Sequence, residues 1–212
     1  MQYFFFVILC SLLLNSCSDD IVSPSDSIST VTIGNQTWMS KNLDVATFQN
    51  GDTIAEAKTI EEWTTAGESQ KPIWCYYNFN SENGVVYGKL YNWYAVNDPR
   101  KIAPNGFHVP TDEEWNALIN SLGVDSAGAK LKSTNNWTGN NSGSNSSGFN
   151  GLPGGYVNSG SFNRNGEISY YWSSTEFDPN TAIRIYLSYN SPQVNMSNYF
   201  KYNGCSIRCV KD

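Results

Sequence analysis

Thr111-Asp112-Glu113-Glu114-Trp115-Asn116-Ala117-Leu118-Ile119-Asn120-Ser121-Leu122-Gly123 is the stretch on which the fold class turns. Thr111 followed three residues later by Glu114 is a capping box, in which each side chain satisfies the other's backbone N–H. Trp115, Leu118, Ile119 and Leu122 then recur at i, i+3, i+4 and i+7, the spacing of one apolar helical face. Gly123 is the natural stop. Asp112, Glu113 and Glu114 crowd the first turn, where the helix macrodipole favours acids, so they read as structural and not as catalytic carboxylates.

Working outward from this helix, residues 59–62 (Thr-Ile-Glu-Glu) form a second capping box leading to Trp63, with Gly67 expected to end that helix within two turns. Residues 88–96 (GKLYNWYAV) place Leu90, Trp93, Tyr94 and Val96 around one side of an expected helix, stopped by Asp98-Pro99. Residues 31–38 carry two β-prone runs around Gly34-Asn35, the pattern of a tight hairpin. Downstream, residues 133–151 (STNNWTGNNSGSNSSGFNG) are too polar for regular structure and read as a long loop. Beyond them, short β-prone runs at 154–157, 169–174, 182–187 and 206–210 predict antiparallel sheet with long loops. A hairpin, then helices, then a strand-rich half is an α+β plan.

The start of the chain follows a different logic. Residues 1–16 (MQYFFFVILCSLLLNS) hold an apolar stretch from Tyr3 to Leu14, about 18 Å as a helix and short of the roughly 30 Å a membrane span needs. They read as a signal peptide. Leu14-Asn15-Ser16-Cys17 resembles the lipobox of bacterial lipoproteins, which makes Cys17 the expected lipid attachment site and the outer membrane the expected location. Residues 17–30 read as lipidated Cys17 and a flexible tether, and residues 31–212 as one domain. Ser18-Asp19-Asp20 resembles the acidic tract of surface-exported lipoproteins, which implies exposure at the cell surface. The formal net charge of −6 excludes nucleic-acid binding by bulk charge.

With Cys10 in the signal segment and Cys17 lipidated, Cys75, Cys205 and Cys209 remain, enough for one internal disulfide. If Cys205 and Cys209 share a strand, their Cα atoms lie about 13 Å apart, beyond bonding reach. Cys75 is then expected to pair with Cys205 or Cys209. A single His and three scattered Cys lack the paired spacing of a zinc site, so no metal is expected.

Five blocks carry a resemblance: 36–43 (QTWMSKNL), 87–93 (YGKLYNW), 106–115 (GFHVPTDEEW), 171–176 (YWSSTE) and 206–210 (SIRCV). In this order they resemble the Fibrobacter succinogenes major paralogous domain, over residues 31 to the end. The resemblance implies a C-type-lectin-like fold, shared with sulfatase-modifying enzymes and phage receptor-binding proteins. It also implies a surface-associated bacterial lipoprotein, in agreement with Cys17.

Fold does not decide between binder and enzyme. His108, the sole histidine, is expected to fill space and bond nearby backbone. No nucleophile motif completes a hydrolase triad. Cys205 and Cys209 would be the residues of a divergent sulfatase-modifying-type enzyme, although their spacing does not match that family's catalytic segment. The glycines of 148–155 lack a following Gly-Lys-Ser/Thr and read as turns. The Glu-Pro-Asn, Gln-Pro-Asp and Trp-Asn-Asp triplets of calcium-dependent lectins are absent. No cofactor is expected, though Glu176 and Asp178 are of the type that holds a structural calcium ion.

What remains is a set of aromatic and amide side chains in the C-terminal half. Trp137, Tyr156, Tyr189, Asn190 and Asn195 are the ligand-binding candidates, with Phe162, Tyr170, Tyr199 and Tyr202 nearby and about half of the aromatics expected in the core. The leading expectation is a non-enzymatic cell-surface lipoprotein recognising a glycan or protein partner. An envelope scaffold contacting another outer-membrane protein is the alternative. Ser27, Thr53 and Ser126 stand in Asp-Ser/Thr-apolar triplets that resemble O-glycosylation sites.

Overall fold

The computed structural model describes residues 28–139, 141–158 and 160–212. The signal segment, Cys17, most of the tether and Ser27 lie outside the described residues. No helix among the described residues is long and apolar enough to cross a membrane.

The chain is mixed α+β. β1 (Thr30–Ile33) and β2 (Gln36–Met39) form the expected hairpin, turned by Gly34 at φ +61°, a conformation a side chain would disfavour. The helices are α1 (Ile60–Glu68), α2 (Ser81–Tyr87), α3 (Trp93–Val96), α4 (Asp112–Leu122) and α5 (Ala127–Leu131). Both expected capping boxes are formed. Thr59 Oγ1 accepts from the Glu62 N–H and Thr111 Oγ1 from the Glu114 N–H, each at 3.2 Å.

The remaining strands are β3 (Ala55–Glu56), β4 (Ile73–Cys75), β5 (Leu90–Asn92), β6 (Phe107–His108), β7 (Tyr156–Asn158), β8 (Ser161–Asn163), β9 (Ile168–Glu176), β10 (Thr181–Ser188), β11 (Val194–Phe200), β12 (Gly204–Cys205) and β13 (Val210–Lys211). Among the described residues they assemble as β1-β2-β13-β6, as β11-β10-β9 and as β3-β4-β5-β12-β7-β8. The β9–β11 meander is antiparallel and separates two core layers, because successive side chains on a strand point to opposite faces. One face places Tyr170, Trp172 and Ala182 in a core with Tyr91, Trp93 and Ile207. The other places Tyr171, Ile185 and Leu187 against Trp38, Trp115 and Phe149. Trp38 and Trp115 meet with ring centroids 4.7 Å apart, and this contact fixes the hairpin to α4.

Several expectations are corrected. Residues 88–96 are not one helix: Gly88, at φ +73°, ends α2, and β5 runs between β4 and β12 before α3 begins. Leu90, Tyr91 and Asn92 are all buried, and that run mimics a helical stripe. Asn92 is the cap of α3, its Oδ1 accepting from the Ala95 N–H at 3.2 Å. Gly67 lies inside α1 because Tyr202 packs against it and leaves no room for a side chain. Residues 206–210 are not one strand. The chain leaves β12, bonds Tyr170 and Trp172 through Ser206, and crosses to β13 in the four-stranded sheet. Cys205 and Cys209 therefore do not share a strand.

Cys75, Cys205 and Cys209 are buried free thiols, and the expected disulfide is not formed. Cys75 stands opposite Leu90 and Cys205 opposite Tyr91, on the two sides of β5. Two strand spacings separate them by about 9–10 Å, beyond the roughly 7 Å a disulfide tolerates.

Candidate functional site

A cleft of about 490 Å³ opens between the segment following α3 and the β6–β13 pair. Val96, Ile102, Ala103 and Val109 are buried beneath it, while Asp98, Lys101, Asn105, His108, Ser174 and Asp212 present polar groups to it. An apolar floor with a convergent polar rim is the general form of a small-ligand site. Lys101 sits at φ +58°, and the neighbouring Gln49 amide donates to the Ala103 carbonyl at 2.7 Å and holds the wall.

His108 does not bond nearby backbone as expected. Its Nδ1 lies 2.7 Å from Asp212 Oδ1 and its Nε2 2.8 Å from Glu114 Oε1. Only the imidazolium donates from both nitrogens, so this geometry suits the charged ring. Burial opposes the charge, but the hydrogen bonds to Asp212 and Glu114 outweigh it and raise the pKa above the ordinary 6.5. Glu114 Oε2 meanwhile accepts from the Thr111 N–H at 2.9 Å, so one carboxylate serves both the helix cap and the histidine.

The five sequence-named candidates do not converge. Trp137 is 5 % exposed, its indole donating to Ser133 Oγ at 3.1 Å, and is corrected from ligand residue to core residue. Tyr189 and Asn190 line a smaller cleft of about 280 Å³ with Asn141, Ser142 and Lys132. The Lys132 ammonium donates to the carbonyls of Ser188 and Ser191 at 2.9 and 3.0 Å, and burial lowers its pKa. Tyr156 belongs to a different group, on the face of the β9–β11 meander. There the Arg184 guanidinium carbon lies 3.4 Å from the Tyr199 ring centre, 4.0 Å from Tyr170 and 5.9 Å from Tyr156. Asn195 is paired opposite Tyr186 on that sheet.

Glu176 and Asp178 are engaged by the chain itself. Glu176 accepts from the Lys201 ammonium at 2.8 Å, and Asp178 accepts from the Asn180 N–H and the Thr181 hydroxyl at 2.8 and 2.7 Å. No group of three or more His, Cys, Asp or Glu side chains converges among the described residues. The three thiols are poorly suited to nucleophilic chemistry. Burial pushes Cys205 and Cys209 up to about 12 and raises Cys75 as well.

Sequence reasoning missed the cleft beside His108, because its floor comes from residues scattered between Gln49 and Asp212. The available signal was the irregular segment 97–106, which carries charge and amide groups between two buried elements. It also missed a groove along α1, lined by Trp63, Thr64, Gly67, Glu68 and Tyr202. Tyr202 and the helix were both named, but not as partners.

Short helices around three sheets, with clefts between irregular segments, define an α+β domain of loop-built surface sites. The chain belongs to the Fibrobacter succinogenes major domain family, whose model matches residues 31–211. Comparison with curated proteins and with solved structures gives no match.

Proposed function

We propose that this protein is a non-enzymatic lipoprotein, held by lipid on Cys17 in the outer membrane and exposed at the cell surface, where its folded domain recognises a glycan or a protein. The observation that carries the reading is the 490 Å³ cleft beside His108, with its apolar floor and its rim of amide, hydroxyl and charged groups. Burial of all three thiols supports recognition over a sulfatase-modifying type of chemistry, which needs an accessible thiolate.

Residues 18–212, applied to a glycan array and used as bait on outer-membrane extracts, are expected to retain a specific ligand. Asn105→Trp, which fills the cleft from its exposed rim, is expected to abolish retention. Absence of any specific ligand in both formats would overturn the reading.

The envelope-scaffold alternative has its own observation. Val85 is 90 % exposed and Val86 lies beside it, both bordering a cleft of about 260 Å³ floored by Asn42 and Arg208. Val85→Asp is expected to release a co-purifying outer-membrane protein if that face is the contact.

A further inference from the structure

The groove along α1 is built by an absence of side chain. Trp63 and Gly67 lie one helical turn apart on the same face, and a Cβ on Gly67 would stand 2.8 Å from the Cβ of Tyr202. Tyr202 can therefore approach the helix and form one wall of a groove of about 270 Å³, with Trp63 at its base. The Trp63 indole N–H donates to the Tyr202 carbonyl at 3.0 Å, so the buried ring closes the base with its polar atom satisfied.

Aromatic surface continues beyond the residues that line the groove. Tyr202 is stacked on Phe200 with centroids 5.1 Å apart and planes 9° from parallel. Phe200 is 47 % exposed, and Phe177, 61 % exposed, lies at the same end of the meander, its N–H donating to Thr181, the residue paired with Phe200. Two of the large apolar side chains that the described surface exposes thus stand at one edge, beside a groove. Thr64 and Glu68, again one turn apart, line the opposite side. The side-chain oxygens of Thr64, Glu68 and Tyr202 carry no hydrogen bond among the described residues.

We infer that this groove binds one pyranose ring of a neutral polysaccharide, its C–H face on the Phe200–Tyr202 stack and its hydroxyls on Thr64, Glu68 and the Tyr202 hydroxyl. A pyranose pairs an apolar face with a rim of hydroxyls, and the groove pairs aromatic surface with a hydroxyl and carboxylate rim. Its volume admits about one such ring. The Glu68 carboxylate accepts from sugar hydroxyls and repels uronates. The Lys201 ammonium nearby does not offset that charge, because it is engaged by Glu176 and the Pro179 carbonyl. This inference rests on the recognition reading but uses a surface separate from the residues lining the His108 cleft.

Affinity electrophoresis of the purified chain through gels containing β-glucan, xylan, mannan or polygalacturonate tests it. At least one neutral polysaccharide is expected to retard the protein, and polygalacturonate is expected to do so less. Phe200→Ala is expected to weaken the retarding interaction about tenfold and Glu68→Ala about threefold. Both positions are exposed, so thermal midpoints near that of the parent establish that the variants fold. Three results would overturn the groove: no retardation by any neutral polysaccharide, stronger retardation by polygalacturonate, or unchanged retardation of Phe200→Ala and Glu68→Ala. If Asn105→Trp alone loses binding, the groove fails while the recognition reading stands on the His108 cleft.

Discussion

His108 reaches two carboxylates, Glu114 in the first turn of α4 and Asp212 just beyond β13, and its protonation joins them. Its pKa is raised in the fold, so the sign of its contribution is fixed. The stabilisation is fully present below the unfolded value near 6.5 and is lost as pH rises through the raised folded value. His108→Gln is therefore expected to depress the thermal midpoint most between about pH 5 and 6.5, with the deficit shrinking toward about pH 9. A deficit independent of pH would show that the ring acts by packing alone. The ring is 39 % exposed, so the effect is expected to be modest and reduced by salt. None of this was legible at the residue scale. The Gly-Phe-His-Val-Pro block showed a histidine before a capped helix, but Asp212 becomes its neighbour only through the β6–β13 pairing.

At the scale of elements, the capping boxes of α1 and α4 are chemically alike and tertiary context makes them unequal. Thr59→Ala and Thr111→Ala are each expected to cost about 1 kcal/mol in urea unfolding, since each strands a helix N–H. Their acidic partners should diverge. Glu62 serves only the backbone, accepting from the N–H groups of Lys58 and Thr59, whereas Glu114 also faces His108. Glu114→Gln is expected to flatten the pH dependence of stability, and Glu62→Gln to leave it unchanged. Helices α1 and α4 were readable because their signals are local: a cap, a period and a stop. The 88–96 segment was misread because three consecutive buried residues in β5 and the short α3 copy a helical stripe, and pairing with β4 and β12 decided the outcome.

Across the whole molecule, Arg208 gathers segments that no local rule connects. The guanidinium is fully enclosed and donates to Asn42 Oδ1 and to the carbonyls of Met39 and Phe149, while the Asn42 amide donates to Tyr87. Burial lowers its pKa, and no carboxylate among the described residues pairs with it, so the hydrogen bonds and the Phe149 ring, 4.2 Å from the guanidinium carbon, hold the charge. Arg208→Met is expected to lower stability by about 3 kcal/mol, measured by urea unfolding, because it leaves Asn42 and two carbonyls without donors. A loss under about 1 kcal/mol would mean that water replaces the guanidinium at little cost.

The sequence by itself determined the α+β class, the N-terminal hairpin, α1, α4 and the strands β9 and β10, because turn chemistry, caps and hydrophobic period act over a few residues; β11, the third strand of the meander, it did not show. It also determined family membership, through five ordered blocks that run the length of the domain. Only the tertiary structure decided which aromatics are core, which thiols sit too far apart to bond, and where clefts open. Trp137 and Tyr202 stand in similar polar surroundings in the chain, yet one is buried beside Lys132 and the other walls a groove against Gly67. The difference lies in which distant segment closes over each ring, and long-range packing alone sets that.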